Sequence, residues 1–167
     1  LVYLAFPCKD EDFNATINSL KKINCKGLNI TIPFKEKVFN LCSEVSPIAK
    51  KIKAINTLKL NKNNEWSGTN TDVSGFIYPL NKYNLRDKKG IVLGSGGAAR
   101  AAIQGLLELK LSEINVISRN SQSLQNILID FSNDTKINGI IYNNNKNQDL
   151  IENSDVIVNS TPVGMKD

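Results

Sequence analysis

The sequence predicts an α/β fold in which a smaller α/β unit precedes a unit with a parallel sheet. Apolar runs alternate with helical periodicity through the second half, which is typical of strands joined by crossover helices. A composition of 41% hydrophobic and 22% charged residues is ordinary for a globular protein, and 167 residues allow two small domains. We expect the first domain to span residues 1–82 and the second residues 83–167.

A glycine turn organises the second half. Residues 91–93 form a short apolar run that predicts a buried strand, and residues 98–109 predict a helix. Between them, Gly94 permits a tight turn, Gly96 lets a pyrophosphate approach the backbone, and Ala99 allows close helix packing. This context predicts a Rossmann-like domain that binds a dinucleotide through Gly94, Ser95, Gly96, Gly97 and Ala98. An ordinary βα turn is the alternative.

The second strand, residues 114–118, is followed by Arg119 where an NAD site usually has an acidic residue. A guanidinium group suits a 2′-phosphate, so the pattern predicts NADP (NADPH) as cofactor. The alternative is that Arg119 is an ordinary surface arginine with no role in binding. Farther along, we predict a helix over residues 124–131, a strand over 137–142, a loop over 143–147 and a buried strand over 155–159. Thr161 then ends the last strand near the expected nicotinamide position.

Several elements are predicted in the first half. We expect a helix after an N-cap at Asp12 that buries Phe13, Ile17 and Leu20, and a hairpin around the polar residues 61–64. The other predicted elements are a strand over residues 2–6 that is sheltered on both faces, a strand over 28–32, a short helix over 36–42, a helical turn opened by Pro47, and a helix capped near 70–72 that runs to about residue 80.

The charge distribution and the cysteine and histidine content argue against several kinds of partner and site. The net charge of +5 comes from residues 1–82, where lysines are scattered, so we expect no nucleic-acid partner. The apolar runs are too short for a membrane span. The three cysteines form no C-x-x-C pair and histidine is absent, so we expect no metal site, no histidine triad and a reducing, cytoplasmic location. The first residue is not Met, so we expect a piece of a longer protein.

Polar side chains gather at the predicted ends of the short strands of the first half. They are Asn29, Thr31, Asn56 and Asp72, together with the cation Lys35. Ligands of open α/β sheets bind at the carboxyl ends of strands, so this set predicts a site for a polyol with an acid–base pair. Taken singly, Lys35 is also explained as a surface lysine and Asp72 as a helix cap.

Five motifs resemble those of the shikimate dehydrogenase family. Residues 29–36 resemble N-V-T-x-P-F-K-E, 54–58 resemble A-x-N-T-L, and 68–75 resemble G-x-N-T-D-x-x-G. Residues 94–101 are similar to G-A-G-G-A-A-R-A, and 159–165 to N-A-T-P-x-G-M. The motifs occur in the family's order. Three positions depart from its pattern: Lys53 replaces a glycine, Pro47 an acidic residue, and Ser118 an asparagine.

The resemblance implies NADP-linked, reversible reduction of 3-dehydroshikimate to shikimate, a step toward chorismate and the aromatic amino acids. It implies Lys35 and Asp72 as the catalytic pair; Thr31, Asn56, Asp72 and Asn29 as substrate contacts; and Ser118, Arg119, Asn120 and Thr161 as cofactor contacts. It places a serine motif for the substrate carboxylate before residue 1 and further contacts after residue 167. We expect a monomer or homodimer. The alternatives are a quinate/shikimate dehydrogenase that uses NAD and a non-catalytic nucleotide-binding module.

Overall fold

The computed structural model describes residues 2–134, 136–143 and 147–164. Two four-stranded sheets lie on either side of residue 82 along the chain. The helices are α1 (Phe13–Lys22), α2 (Pro47–Ile52), α3 (Asp72–Ile77), α4 (Gly97–Glu108), α5 (Ser121–Asp130) and α6 (Gln148–Glu152). The strands are β1 (Gly27–Asn29), β2 (Glu44–Val45), β3 (Thr57–Leu60), β4 (Trp66–Thr69), β5 (Lys89–Leu93), β6 (Glu113–Ser118), β7 (Ile137–Ile141) and β8 (Val156–Asn159).

The first sheet has the strand order β1-β3-β4-β2 and mixed direction. Strands β3 and β4 form the predicted hairpin, in which Thr57 lies opposite Thr69. Helix α1 covers this sheet with the predicted face of Phe13, Ile17 and Leu20, all buried. The fully buried Trp66 donates its indole N–H to the Ile17 carbonyl at 3.3 Å. The helix begins after Asp12 as predicted, but the Asp12 side chain makes no capping hydrogen bond.

The second sheet has the order β7-β6-β5-β8, and all its pairings are parallel. Buried residues fill β5 and β6, and helix α4 packs on the sheet with Ile103 and Leu106 fully buried. The predicted α/β class, with a parallel sheet in the second half, is confirmed. None of the helices in the described part of the chain is long and apolar enough to cross a membrane.

Two strand predictions are wrong. Residues 2–6 form no strand, and Val2 and Tyr3 are 79% and 80% exposed rather than sheltered, since this segment pairs with no described strand and the first sheet ends at β1. Strand β8 forms at the predicted place but is not buried. It pairs with β5 and lies at the edge of the sheet in the described residues, which leaves Ile157 50% exposed.

The halves share a hydrophobic core. Ile52, Ala54 and Val73 of the first half are buried in one cluster with Ile103 and Leu106 of α4. Gly105 of α4 lies so close to α3 that a Cβ there would be 2.5 Å from the Phe76 ring. This close contact holds α3 against the C-terminal end of α4. The boundary between residues 82 and 83 stays a prediction.

Candidate active site

Lys35 and Asp72 form an ion pair. The Lys35 Nζ donates to the Asp72 Oδ2 at 2.7 Å, and the two side chains are 18% and 33% exposed. The pair is thus partly withdrawn from water but open to a small molecule. Lys35 lies in the turn after β1, and Asp72 begins α3. The fold therefore brings together the two residues that the sequence predicted as an acid–base pair.

Asn56 fixes the second oxygen of this carboxylate. Its Nδ2 donates to the Asp72 Oδ1 at 2.7 Å and to the Thr71 Oγ1 at 3.0 Å. Its Oδ1 in turn accepts from the Thr71 backbone N–H at 3.0 Å and from the Thr57 hydroxyl at 2.9 Å. With both oxygens bound, the Asp72 carboxylate has one orientation. The sequence predicted Thr71 only as part of the helix cap at residues 70–72 and not as a partner of Asn56, although it stands in the motif that carries Asp72.

Backbone contacts hold the same residues in place. The Lys35 carbonyl accepts from the Ile55 N–H at 2.7 Å, and the Asn56 carbonyl accepts from the Ile30 N–H at 2.7 Å. Asn70, 5% exposed, binds the start of α3: its Oδ1 accepts from the Asp72 N–H at 2.9 Å, and its Nδ2 donates to the Ala54 carbonyl at 3.0 Å. Asp72 lies in the first turn of α3, as predicted, where an acidic side chain suits the helix dipole. Its carboxylate oxygens are bound by Lys35 and Asn56.

Asn29 and Thr31 lie outside this hydrogen-bonded group. The Asn29 Oδ1 accepts from the Tyr3 hydroxyl at 3.2 Å, and its backbone pairs with Thr57 in the first sheet. Thr31 is exposed, and its carbonyl accepts from the Phe34 N–H at 2.9 Å in the turn that leads to Lys35. The peptide bond between Ile32 and Pro33 in this turn is cis. Both polar side chains thus lie near the start of the Lys35 segment.

The glycine turn has the geometry that the sequence predicts. Gly94 has a φ of +112°, which L side chains rarely adopt, and a Cβ there would lie 2.7 Å from the Ser160 Oγ. Gly96 is the N-cap of α4, and a Cβ on it would meet no protein atom within 4 Å. The space over Gly96 is therefore open to a ligand, beside N–H groups that lack partners inside the helix.

Three hydroxyl groups meet beside this turn. The Ser95 Oγ lies 2.7 Å from the Ser118 Oγ and 2.7 Å from the Ser123 Oγ. Ser95 and Ser118, both predicted as cofactor contacts, are buried. Their hydroxyls bind each other because Ser95 follows β5 and Ser118 ends the neighbouring strand β6. Sequence reasoning missed Ser123, which lies in the first turn of α5 and carries no motif signal.

Arg119 and Asn120 follow β6 at the same edge of the sheet. Arg119 is exposed and forms no ion pair with any described residue. Asn120 caps α5, since its Oδ1 accepts from the Ser123 N–H at 2.9 Å. Its side chain therefore has a structural role, and Arg119 is the group free to receive a phosphate.

Thr161 lies next to the glycine turn, as expected of the end of the last strand. A Cβ on Gly94 would be 3.2 Å from the Thr161 Cγ2, and the Thr161 hydroxyl donates to the Asn159 Oδ1 at 2.7 Å. Met165, the last residue of the fifth motif, lies outside the described residues, as does part of the predicted 143–147 loop.

A charged cluster that the sequence did not predict joins the two halves. The buried Arg100 donates to the Asp130 Oδ2 at 2.7 Å and to the Ile52 carbonyl at 3.2 Å, and Lys53 also pairs with Asp130. Burial raises the pKa of Asp130, but the hydrogen bonds from Lys53 and Arg100 outweigh burial and hold that pKa below its ordinary value. Lys53 has a φ of +51°, a left-handed backbone conformation that glycine adopts more easily than lysine. The family that the sequence resembles has glycine at this position.

Cysteine chemistry does not fit this part of the molecule. Burial raises the pKa of the Cys42 thiol to about 11, although Lys21 acts in the opposite direction. A thiol of that pKa is protonated at neutral pH and is a poor nucleophile. The Lys35–Asp72 pair is therefore better suited to proton transfer than Cys42.

The chain is similar to known proteins over nearly its whole length. Residues 1–58 match the model of the shikimate dehydrogenase substrate binding domain. The chain is 65% identical over 166 residues to the NADP(+) shikimate dehydrogenase of Prochlorococcus marinus (strain MIT 9215) and covers 99% of itself and 58% of that protein. The chain thus spans somewhat over half the length of this curated relative.

Solved structures that superpose on this chain include shikimate dehydrogenases. The Aquifex aeolicus shikimate dehydrogenase superposes with a TM-score of 0.84 at 33% identity, over 99% of this chain and 59% of that one. A shikimate dehydrogenase in complex with NADP+ superposes with a TM-score of 0.80 at 29% identity, over 98% and 57%. With five motifs in order and a similar fold over 98–99% of its own length, the chain is similar to shikimate dehydrogenases across the part of them that it spans.

Proposed function

We propose that the protein containing this chain is an NADP-dependent shikimate dehydrogenase that reversibly reduces 3-dehydroshikimate to shikimate in the biosynthesis of chorismate and aromatic amino acids. The observation that carries the proposal is the Lys35–Asp72 ion pair of 2.7 Å, next to the helix that follows the glycine turn. An acid–base pair beside a nucleotide site is what reduction of a carbonyl requires.

Lys35 is the proposed proton donor. When a carbonyl is reduced, negative charge develops on its oxygen, and an ammonium group within about 3 Å of that oxygen stabilises the charge and supplies the proton. Asp72 orients the ammonium, and Asn56 orients Asp72 through the bond of 2.7 Å. In the reverse direction the same pair accepts the proton of the substrate hydroxyl.

Substrate recognition is proposed for the polar groups around this pair. Asp72 presents an oriented carboxylate, and Thr31 offers an exposed hydroxyl. The Asn56 amide would bind a substrate group by exchanging its present bond to Thr71 or Thr57. A polyol needs both donors and acceptors, which this set supplies. Asn29 is the more remote member, because its Oδ1 is engaged by Tyr3.

The residues present fit NADP. The space over Gly96 and the first turn of α4 suit the pyrophosphate, and the exposed Arg119 suits a 2′-phosphate. Ser95, Ala98, Ser118, Asn120 and Thr161 would complete the contacts, and Gly97 would contribute its backbone N–H, which a change of side chain leaves in place. The bound nicotinamide supplies or accepts the hydride. We assign substrate binding to residues 1–82 and NADP binding to residues 83–167, in a cytoplasmic monomer or homodimer.

The test is a substrate and cofactor matrix measured on the complete protein. Shikimate and quinate are each assayed with NADP+ and NAD+ by following nicotinamide absorbance, and we expect the highest kcat/KM for shikimate with NADP+. A preference for quinate with NAD+ would support a quinate dehydrogenase instead. Nucleotide binding without turnover of either substrate would support a non-catalytic module.

A further inference from the structure

The first turn of α4 touches the segment that carries Lys35. A Cβ on Gly97 would lie 2.9 Å from the Lys35 Cβ and 3.3 Å from the Lys35 Cδ. The aliphatic part of Lys35 therefore rests on the backbone of Gly97, and its Nζ reaches Asp72 at 2.7 Å. No side chain larger than a hydrogen atom fits at Gly97 unless Lys35 moves.

Arg100, on the same face of α4 as Gly97, contacts Glu36, the residue after Lys35. Arg100 lies three positions after Gly97, so the two share a face. Its Nε is 3.5 Å from the Glu36 Oε2, while its Nη1 is held by Asp130 and by the Ile52 carbonyl. The Arg100 side chain is 3% exposed and the Glu36 side chain 44%, so a buried cation makes a charge contact, without a hydrogen bond from its Nε, with a more exposed carboxylate.

The need for glycine differs between the two adjacent positions. At Gly96 a Cβ would meet no protein atom within 4 Å, so only a ligand would require glycine there. At Gly97 the atom in the way belongs to Lys35, not to the space where a nucleotide would lie. The two glycines therefore serve different partners.

We propose that Gly97 and Arg100 are positioning residues for Lys35, by which the helix that receives the nucleotide also sets the place of the proton donor. Gly97 lets the Lys35 side chain lie against the helix, and Arg100 holds the adjoining Glu36. The expected effect on kcat rests on the proposed function. The expected effect on the position of the Lys35 amine does not depend on that function. Because both contacts come from one turn, nucleotide and ammonium group are held in fixed relation.

The test is Gly97→Ala in the complete protein, with Gly75→Ala as the matched control. Gly75 is also helical, but a Cβ there would meet nothing within 4 Å. Three quantities are measured: kcat, the Kd for NADPH, and the acetylation rate of the Lys35 amine in the nucleotide-free protein by peptide mass spectrometry. The control should match the wild type in all three.

For Gly97→Ala we expect kcat to fall by about 10-fold or more, because small displacements of a reacting group are costly. The Kd for NADPH should change by less than about twofold, and Lys35 acetylation should rise because the amine leaves Asp72. A raised Kd with an unchanged kcat would show that Gly97 serves the cofactor and would overturn the proposal, as would an unchanged acetylation rate.

A second, milder variant covers the case in which Gly97→Ala does not fold. Glu36→Gln removes the partner of the Arg100 Nε, and the exposed Glu65→Gln is its control. We expect about a threefold loss of kcat and faster Lys35 acetylation for Glu36→Gln alone. Equal kcat and equal Lys35 acetylation rates in Glu36→Gln and Glu65→Gln would overturn the proposal that Arg100 positions Lys35 through Glu36. If the wild type lacks dehydrogenase activity, the proposed function fails, and acetylation still decides the positioning.

Discussion

The two sheets build their parts of the site differently. In the first sheet, side chains bind one another: Lys35 and Asn56 each hold one oxygen of Asp72 at 2.7 Å. Around them, Asn70 and Thr71 bind backbone and amide groups, so the network is complete without a ligand. This arrangement places charged groups before any substrate arrives, which is the condition for electrostatic stabilisation of a transition state.

In the second sheet the site consists mostly of backbone. Gly94 supplies a turn with φ of +112°, and α4 offers its N-terminal N–H groups. The buried hydroxyls of Ser95 and Ser118 bind each other, and Arg119 is exposed. This surface is completed by what binds to it. Substitutions of the polar side chains in the first sheet should therefore affect turnover, and those of Arg119 and Gly96, which face the open space in the second half, should affect cofactor affinity.

The sharpest test of this contrast is Lys35→Ala. Removing the proton donor should lower kcat by about 100-fold or more, while the Kd for NADPH changes little. Steady-state kinetics and nucleotide titration of the complete protein measure the two quantities. A variant with near-normal turnover would contradict the assignment of Lys35.

Arg119→Ala tests the opposite side of the contrast. Loss of a charge-assisted bond to the 2′-phosphate should weaken NADPH binding by about 1.5–3 kcal/mol and leave NADH binding nearly unchanged. Titration calorimetry with both nucleotides compares the effects. An equal loss for NADPH and NADH would mean that Arg119 does not read the 2′-phosphate.

Asp130→Asn tests the cluster that joins the two regions. At neutral pH the variant should lose about 2 kcal/mol of stability, because the buried Arg100 keeps only Glu36 and the Ile52 carbonyl. The pKa of Asp130 is lowered on folding, so its contribution is present above the unfolded value of about 3.9 and disappears as pH falls through the folded pKa.

Urea unfolding of wild type and Asp130→Asn at a series of pH values follows that loss. The difference in unfolding free energy should be constant near neutral pH and shrink on acidification below about pH 4. A difference that stayed constant through this range would mean that the charge on Asp130 does not stabilise the fold.

The smallest effect is expected from paired glycine substitutions. Gly94→Ala should lower the free energy of unfolding by about 1–2 kcal/mol, since the backbone is left-handed and the new Cβ would meet Ser160. Gly96→Ala should leave stability nearly unchanged and weaken NADPH binding instead. Urea unfolding and nucleotide titration distinguish them, and equal destabilisation would refute the separation.

Local signals were enough for much of this molecule. The α1 face of Phe13, Ile17 and Leu20, the hairpin around residues 61–64 and the turn at Gly94 all depend on neighbouring residues, and each was predicted correctly. Helical periodicity and glycine chemistry act over a few positions, so sequence pattern reports them directly. The grouping of Lys35, Asn56 and Asp72 was predicted as a set of polar residues at the ends of elements.

The tertiary structure decided what depends on distant partners. An apolar run does not say which strand it pairs with, so it predicts a sheltered strand at residues 2–6 and a buried strand at 155–159, where the structure leaves Val2 and Ile157 exposed. The ion pairs of Arg100 and the contact of Gly97 with Lys35 join segments far apart in the chain. The sequence by itself thus determined the candidate residues and the resemblance to shikimate dehydrogenases, because both are carried by short motifs. Only the tertiary structure decided where the Lys35 ammonium lies, because Asp72 and the first turn of α4 reach it from distant parts of the chain.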